Sequence, residues 1–154
     1  MDGIFINMSC DINMPRSYFY EIYRAFKEDR YEDGLNLASQ RRFRITAAAF
    51  RKIYNSIVKP LEYIATGKIT DPIPLAAGLA RLDIVIEYQK NRGVLQQELA
   101  EGIKAALAEI RQDVVRKNLQ NAKKEAEALK LALDAVLAYQ IVGGRRREEE
   151  EEWL

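Results

Sequence analysis

The side chains in this sequence that could do chemistry are acids, bases and one thiol; there is no histidine. Glu98, Glu101, Glu109, Asp113, Glu125, Glu127 and Asp134 gather between residues 98 and 134, and paired carboxylates are the raw material of general acid–base catalysis. Their helical spacing, however, sets them opposite an apolar stripe. Lys123/Glu127 and Lys130/Asp134 form (i, i+4) pairs worth roughly a few tenths of a kcal/mol each, so a solvated charged face is expected. The lack of histidine excludes Ser-His-Asp triads, Cys-His dyads, two-His metal sites and the Glu-x-x-His pattern of di-iron bundles. Cys10 is the single cysteine, without a basic helix end nearby, and is read as an inert thiol in a reducing, cytoplasmic setting. Gly143-Gly144-Arg145 lacks the Gly-x-x-x-x-Gly-Lys frame of a phosphate cradle and reads as a helix stop. No catalytic residue, cofactor or metal is expected, and the chain is read as a non-enzyme.

The bases are a different matter. The chain of 154 residues has 24 Lys+Arg against 23 Asp+Glu, a net charge of +1. That near-balance hides an uneven distribution. From Gly34 to Leu61 there is no acid, while Arg41, Arg42, Arg44, Arg51, Lys52 and Lys59 are all basic. After Gly144, three arginines precede five glutamates. On a helix starting near Ala47, Lys52 and Lys59 are seven residues apart and share a face at about 10 Å, a spacing suited to following a phosphate backbone. Arg41, Arg42 and Arg44 fall at the N-terminal end of that helix, where its dipole also favours anions. No recognition-helix pattern or paired stacking platform accompanies them, so the chemistry implied is backbone-directed and indifferent to base sequence. By itself, Arg92 at the end of a helix is a dipole-favoured cation, and Tyr139 a core aromatic with its hydroxyl at the rim.

The elements that must position these groups read as helices throughout. Pro15 suits a first turn, and Phe19, Ile22, Tyr23 and Phe26 follow at helical spacing, with a stop near Asp33-Gly34. Thr46 is an N-cap before a stripe of Phe50, Ile53, Tyr54, Ile57, Leu61 and Ile64, which Pro60 should bend or divide. Asp71-Pro72 opens a third helix with Leu75, Leu79, Leu82, Val85 and Ile86 on one face, ending at Asn91-Arg92-Gly93. A fourth runs from about Leu95 with Leu99, Ile103, Ala106, Leu107 and Ile110 inward. The fifth, near Val114 to Val142, is apolar nearly all round over its second half. It must therefore be either central in the bundle or also part of a subunit contact. The expected architecture is all-α: a compact five-helix bundle with a long C-terminal helix over residues 15–144, an N-terminal arm over 1–14 and a charged tail over 145–154. No apolar run is long enough to span a membrane, and Met1-Asp2-Gly3 lacks the basic start of a signal peptide.

The order of segments resembles a known family. Thr46-Ala47-Ala48-Ala49-Phe50-Arg51-Lys52-Ile53-Tyr54 comes first, then Leu82 to Tyr88 with Arg92. Leu133-Asp134-Ala135-Val136-Leu137-Ala138-Tyr139 follows, ahead of Gly143-Gly144. Over residues 44–144 this is similar to the Csm small subunit, the small helical subunit of type III-A CRISPR-Cas effector complexes. It departs at Ala49, where the family often has glutamine, and at Gln140-Ile141, where Ala-Tyr is often followed by His or Lys. The resemblance implies a non-catalytic subunit of an antiviral ribonucleoprotein, stacked in several copies along the guide RNA–target RNA duplex. Its partners would be the RNA, mainly the target-strand backbone, the repeated backbone subunit of the complex, and neighbouring copies of itself. By position, Arg51, Lys52 and Arg92 would contact RNA phosphates, and the apolar last helix, through Leu131, Leu137 and Tyr139, would serve a subunit contact. A small subunit of the related type III-B complex, or a helical DNA-binding or regulatory module using the same basic helix, are the alternative expectations.

Overall fold

A computed structural model describes residues 17–67 and 71–139. Among the described residues the chain is all-α with six helices: α1 (Tyr18–Lys27), α2 (Tyr31–Gln40), α3 (Ala47–Ala65), α4 (Pro72–Asn91), α5 (Gln97–Val115) and α6 (Leu119–Tyr139). The helix count of five is thereby corrected to six. The expected first helix breaks at Asp29, which takes a left-handed φ of 64°. Around it the Asp29 N–H donates to the Phe26 carbonyl and the Arg30 N–H to the Ala25 carbonyl, the paired bonds of a Schellman helix end. The same pair of bonds closes α5 around Lys117, at φ 63°, so the last helix begins at Leu119 and not near Val114. Gly93, at φ 80°, ends α4 in the same way. Gly34, expected as a stop, lies inside α2. There a Cβ would come within 2.7 Å of the Phe26 ring, so its role is close approach of α1 and α2.

The expected starts at Thr46 and Asp71 are seen: Thr46 Oγ1 accepts from the Ala49 N–H at 3.1 Å and Asp71 Oδ1 from the Ile73 N–H at 3.3 Å. Ser17 caps α1, accepting from the Tyr20 N–H and donating to the Glu98 carbonyl at 2.8 Å, which ties α1 to α5. Helix α3 continues through Pro60 undivided. The missing N–H falls on its outer side, where the Ser56 carbonyl is in reach of water.

Helix α6 packs against α1, α2, α3 and α5 and is the central helix. Ala122, Ala126, Leu129, Ala132, Leu133 and Val136 are wholly buried along it, and its alanines let four neighbours close in. Leu137 is also buried, which corrects its expected place on a contact surface: its side chain belongs to the core cluster with Phe19, Phe43, Phe50 and Ile57. Leu131 and Tyr139 remain about half exposed, at 42% and 48%. Helix α4 is the outermost, packed on α5 and, less extensively, on α3. Ala76, Leu79 and Ile86 face inward, whereas Val85, expected inward, is exposed together with Ile73, Ile84 and Tyr88.

Candidate nucleic-acid interface

The basic residues are positioned first by a six-residue connection, 41–46, between α2 and α3. Phe43 and Ile45 are buried in it and their neighbours Arg42 and Arg44 are exposed, an alternation that anchors the strand-like backbone and turns the guanidinium groups outward. Phe43 is held among aromatics, with ring centroids 6.2 Å from Tyr18 and 6.5 Å from Phe19; full burial of such a ring contributes roughly 1.5–3 kcal/mol. The Arg44 N–H donates to Gln96 Oε1 at 2.9 Å, fixing the connection against the start of α5.

The arginines of this connection are not equivalent. Arg41 lies over the Tyr18 ring, 4.9 Å from its centroid, and pairs with Glu98 Oε1 at 2.5 Å. Arg42 Nη1 donates to the Tyr139 carbonyl at 3.4 Å. Arg44 makes no ion pair among the described residues. On α3 the buried stripe of Ala47, Phe50, Ile53, Ile57, Leu61 and Ile64 faces α6, which leaves Ala48, Lys52, Asn55, Ser56 and Lys59 on the outer face. Lys52 and Lys59 are exposed and likewise have no ion pair among the described residues. Arg51 is one step round the helix and half-buried, with Nη2 inside the protein. Glu62 ends the acid-free run on the same face.

Arg92 joins the group by tertiary contact. It caps the C-terminus of α4, and its guanidinium stacks on Tyr88, 5.6 Å from the ring centroid, one helical turn back. The turn it begins leads directly to Gln96 and Glu98, the partners of Arg44 and Arg41. The structure thus brings Arg41, Arg42, Arg44, Arg92 and Tyr139 to one end of the bundle, with Lys52 and Lys59 continuing from it along α3. Leu131 stands apart, in a groove between α2 and α6 with Tyr31, Lys123 and Lys124. Cys10, the N-terminal arm, Gly143-Gly144 and the Arg-Glu tail lie outside the described residues.

The acids do not all form the solvated face expected of them. Glu109 sits between α1 and α5 and accepts from Tyr20, from the Tyr23 hydroxyl at 2.7 Å and from Lys27 Nζ at 2.8 Å. Burial and the adjacent carboxylate raise the Tyr20 and Tyr23 hydroxyls well above the usual phenol range. Glu125 on α6 is buried, and desolvation together with a hydrogen bond shared with Asp113 pushes its carboxyl up to about 8. Sequence periodicity missed this because α6 is surrounded: on a central helix even the polar side faces protein. Asp134 is also engaged, accepting from the Tyr54 hydroxyl at 2.6 Å. Glu109 and Asp134 thus take donors from neighbouring helices, whereas the buried Glu125 Oε1 has no hydrogen-bond partner among the described residues. Among the described residues no acid cluster has the makings of a metal site, and no helix is long and apolar enough to cross a membrane.

Comparison with protein-family models, with curated proteins and with solved structures finds no match for this chain.

Proposed function

We propose that this protein is a non-catalytic, RNA-binding structural subunit of a type III-A CRISPR-Cas ribonucleoprotein, placed in several copies along a guide–target duplex. The observation that carries the reading is the acid-free basic run: Arg44, Lys52 and Lys59 stand exposed and without ion pairs among the described residues on one continuous surface. Exposed cations that the fold does not consume are free to displace counterions from a phosphate backbone, and a rigid helix presents them at fixed intervals. Arg42 and Arg92 extend the surface across the bundle end, and Arg92 keeps the flat guanidinium face that stacks on Tyr88. Arg51 supports the helix more than the surface, since its guanidinium is partly inside. The subunit's affinity would come from positioning on the sugar–phosphate chain, with sequence read by base pairing in the duplex.

The order of segments shared with the Csm small subunit supports the identity of the partner; the charge pattern supports only its chemistry. The test is binding to single-stranded RNA, an RNA duplex and duplex DNA across a salt series. RNA binding should be sequence-tolerant, with log K falling linearly in log salt. Replacing Lys52 or Lys59 by Ala should reduce the slope by about one charge each. Unchanged slopes in both variants would remove this face from the interface, and a strong preference for one DNA duplex would favour a DNA-binding module instead.

A further inference from the structure

At the end of the bundle away from Arg41, Arg42, Arg44 and Arg92, the first two turns of α4 and the last turns of α5 leave a groove between them. It encloses about 460 Å³ and is lined by Ile73, Ala76, Ala77 and Val115, with Arg111, Gln112 and Arg116 along its α5 side. Three features make it more than a surface dip. Its floor is apolar and its walls are held open by small side chains, Ala76 and Ala77. Ile73 at its lip is 65% exposed, an apolar surface left uncovered. Among the described residues Arg111 Nη1 is buried there without a hydrogen-bond partner, so a charged donor has been desolvated with none of them to accept from it. The chemistry that completes such a site is a bulky apolar group flanked by carboxylates.

The sequence contains one segment of that description. Five consecutive glutamates, Glu148 to Glu152, lead into Trp153-Leu154. We propose that this C-terminal segment docks in the groove of its own molecule, Trp153 and Leu154 against Ile73, Ala77 and Val115, with the glutamates against Arg111 and Arg116. The reach is sufficient. Tyr139 ends α6 beside Arg42, and the neighbouring Arg44 is fixed to Gln96 at the start of α5. From there the groove lies roughly 21 Å along α5, at about 1.5 Å per residue to Arg111. The 14 residues from Tyr139 to Trp153 can span about 48 Å when extended. At the basic end of the bundle, though closer, two of the arginines are already engaged: Arg41 is paired with Glu98 and lies over Tyr18, and Arg42 donates to the Tyr139 carbonyl. The inference is independent of the RNA reading.

Trp153 is the only tryptophan of the chain, so its fluorescence reports the segment directly in the full-length protein. Docked, its emission is blue-shifted and its quenching by acrylamide is several-fold weaker than in the denatured chain, at every protein concentration. Ala77→Glu, at an exposed position that the fold tolerates, and Arg111→Gln should each return emission and quenching to the denatured-chain values with helicity unchanged. Solvent-exposed emission in the wild type overturns the proposal, as does emission indifferent to Ala77→Glu. Emission that depends on protein concentration would place the segment on another molecule. Emission that moves with Arg41→Ala, Arg42→Ala and Arg44→Ala and not with the groove variants would place it on the basic end. Either outcome also overturns docking in the α4–α5 groove of its own molecule.

Discussion

Charge is treated in opposite ways on two sides of this bundle. Between α1, α5 and α6, Glu109 is spent on Tyr20, Tyr23 and Lys27, and Glu125 is drawn in against Asp113. Along the outer face of α3, Lys52 and Lys59 are spent on nothing among the described residues, and Arg44 continues the same surface. The inner groups hold helices in register; the outer ones are available to a partner. The difference arises from packing. Helix α1 lies close enough to α5 for tyrosine hydroxyls to reach Glu109, whereas none of the described helices lies over the outer face of α3.

That closeness depends on Gly102, where an added Cβ would meet Ser17 Oγ at 2.5 Å, the Tyr20 backbone nitrogen at 2.8 Å and Phe19 Cβ at 2.9 Å. Gly102→Val should therefore have the largest effect, a loss of about 3 kcal/mol in chemical denaturation, because two of the three contacts are backbone or near-backbone atoms that cannot step aside. Glu109→Ala comes next. It leaves the fully buried Tyr23 hydroxyl without its acceptor and should cost about 2 kcal/mol. In a cycle with Tyr23→Phe most of that loss should be non-additive; simple additivity would mean the contact is idle.

The pH dependence sharpens the contrast. Glu125 is raised in the folded state from 4.5 to about 8, so the folded chain holds a proton that the unfolded chain has released. Its contribution is complete below about pH 4.5 and is lost as pH rises through about 8. Glu125→Gln keeps a donor for Asp113 and cannot ionise. The variant should be more stable than the wild type by about 1–2 kcal/mol at pH 8 and nearly equal to it at pH 4.5, with the difference growing between those values. A difference that does not vary with pH would show that the carboxyl is already ionised inside. The smallest effect on stability is expected on the other side of the comparison. Lys52→Ala with Lys59→Ala should change unfolding by less than about 0.5 kcal/mol while removing roughly two charges from the salt slope of RNA binding. Destabilisation by more than about 1 kcal/mol would mean that the outer face also serves the fold.

Helix starts and stops were legible where the side chain or backbone chemistry is local. Thr46 and Asp71 cap as their types suggest, and Gly93 stops its helix at positive φ. Asp29 and Lys117 hide equivalent stops, because residues with a Cβ adopt the left-handed region there and tertiary packing supplies what glycine would have made easy. This is why one expected helix became α1 and α2, and why α6 starts five residues late. For the candidate surface, the cations themselves stood out in sequence as an unbroken basic run. Their division into occupied and free did not. Arg41 and Glu98 are 57 positions apart and Arg42 and Tyr139 are 97 apart, and no periodicity links such pairs.

Sequence alone therefore determined the helical class, the apolar stripe of α3 and the absence of acids beside Arg41–Lys59, since these follow from residue type and short-range spacing. Only the tertiary structure decided that α6 is central, that Leu137 is core while Leu131 is surface, and that Glu125 is buried. It also decided which cations pair within the described residues and that a groove lies between α4 and α5. Burial and pairing are set by which helices meet, and in a bundle whose helices are amphipathic to different degrees that choice is made by shape complementarity across the whole core.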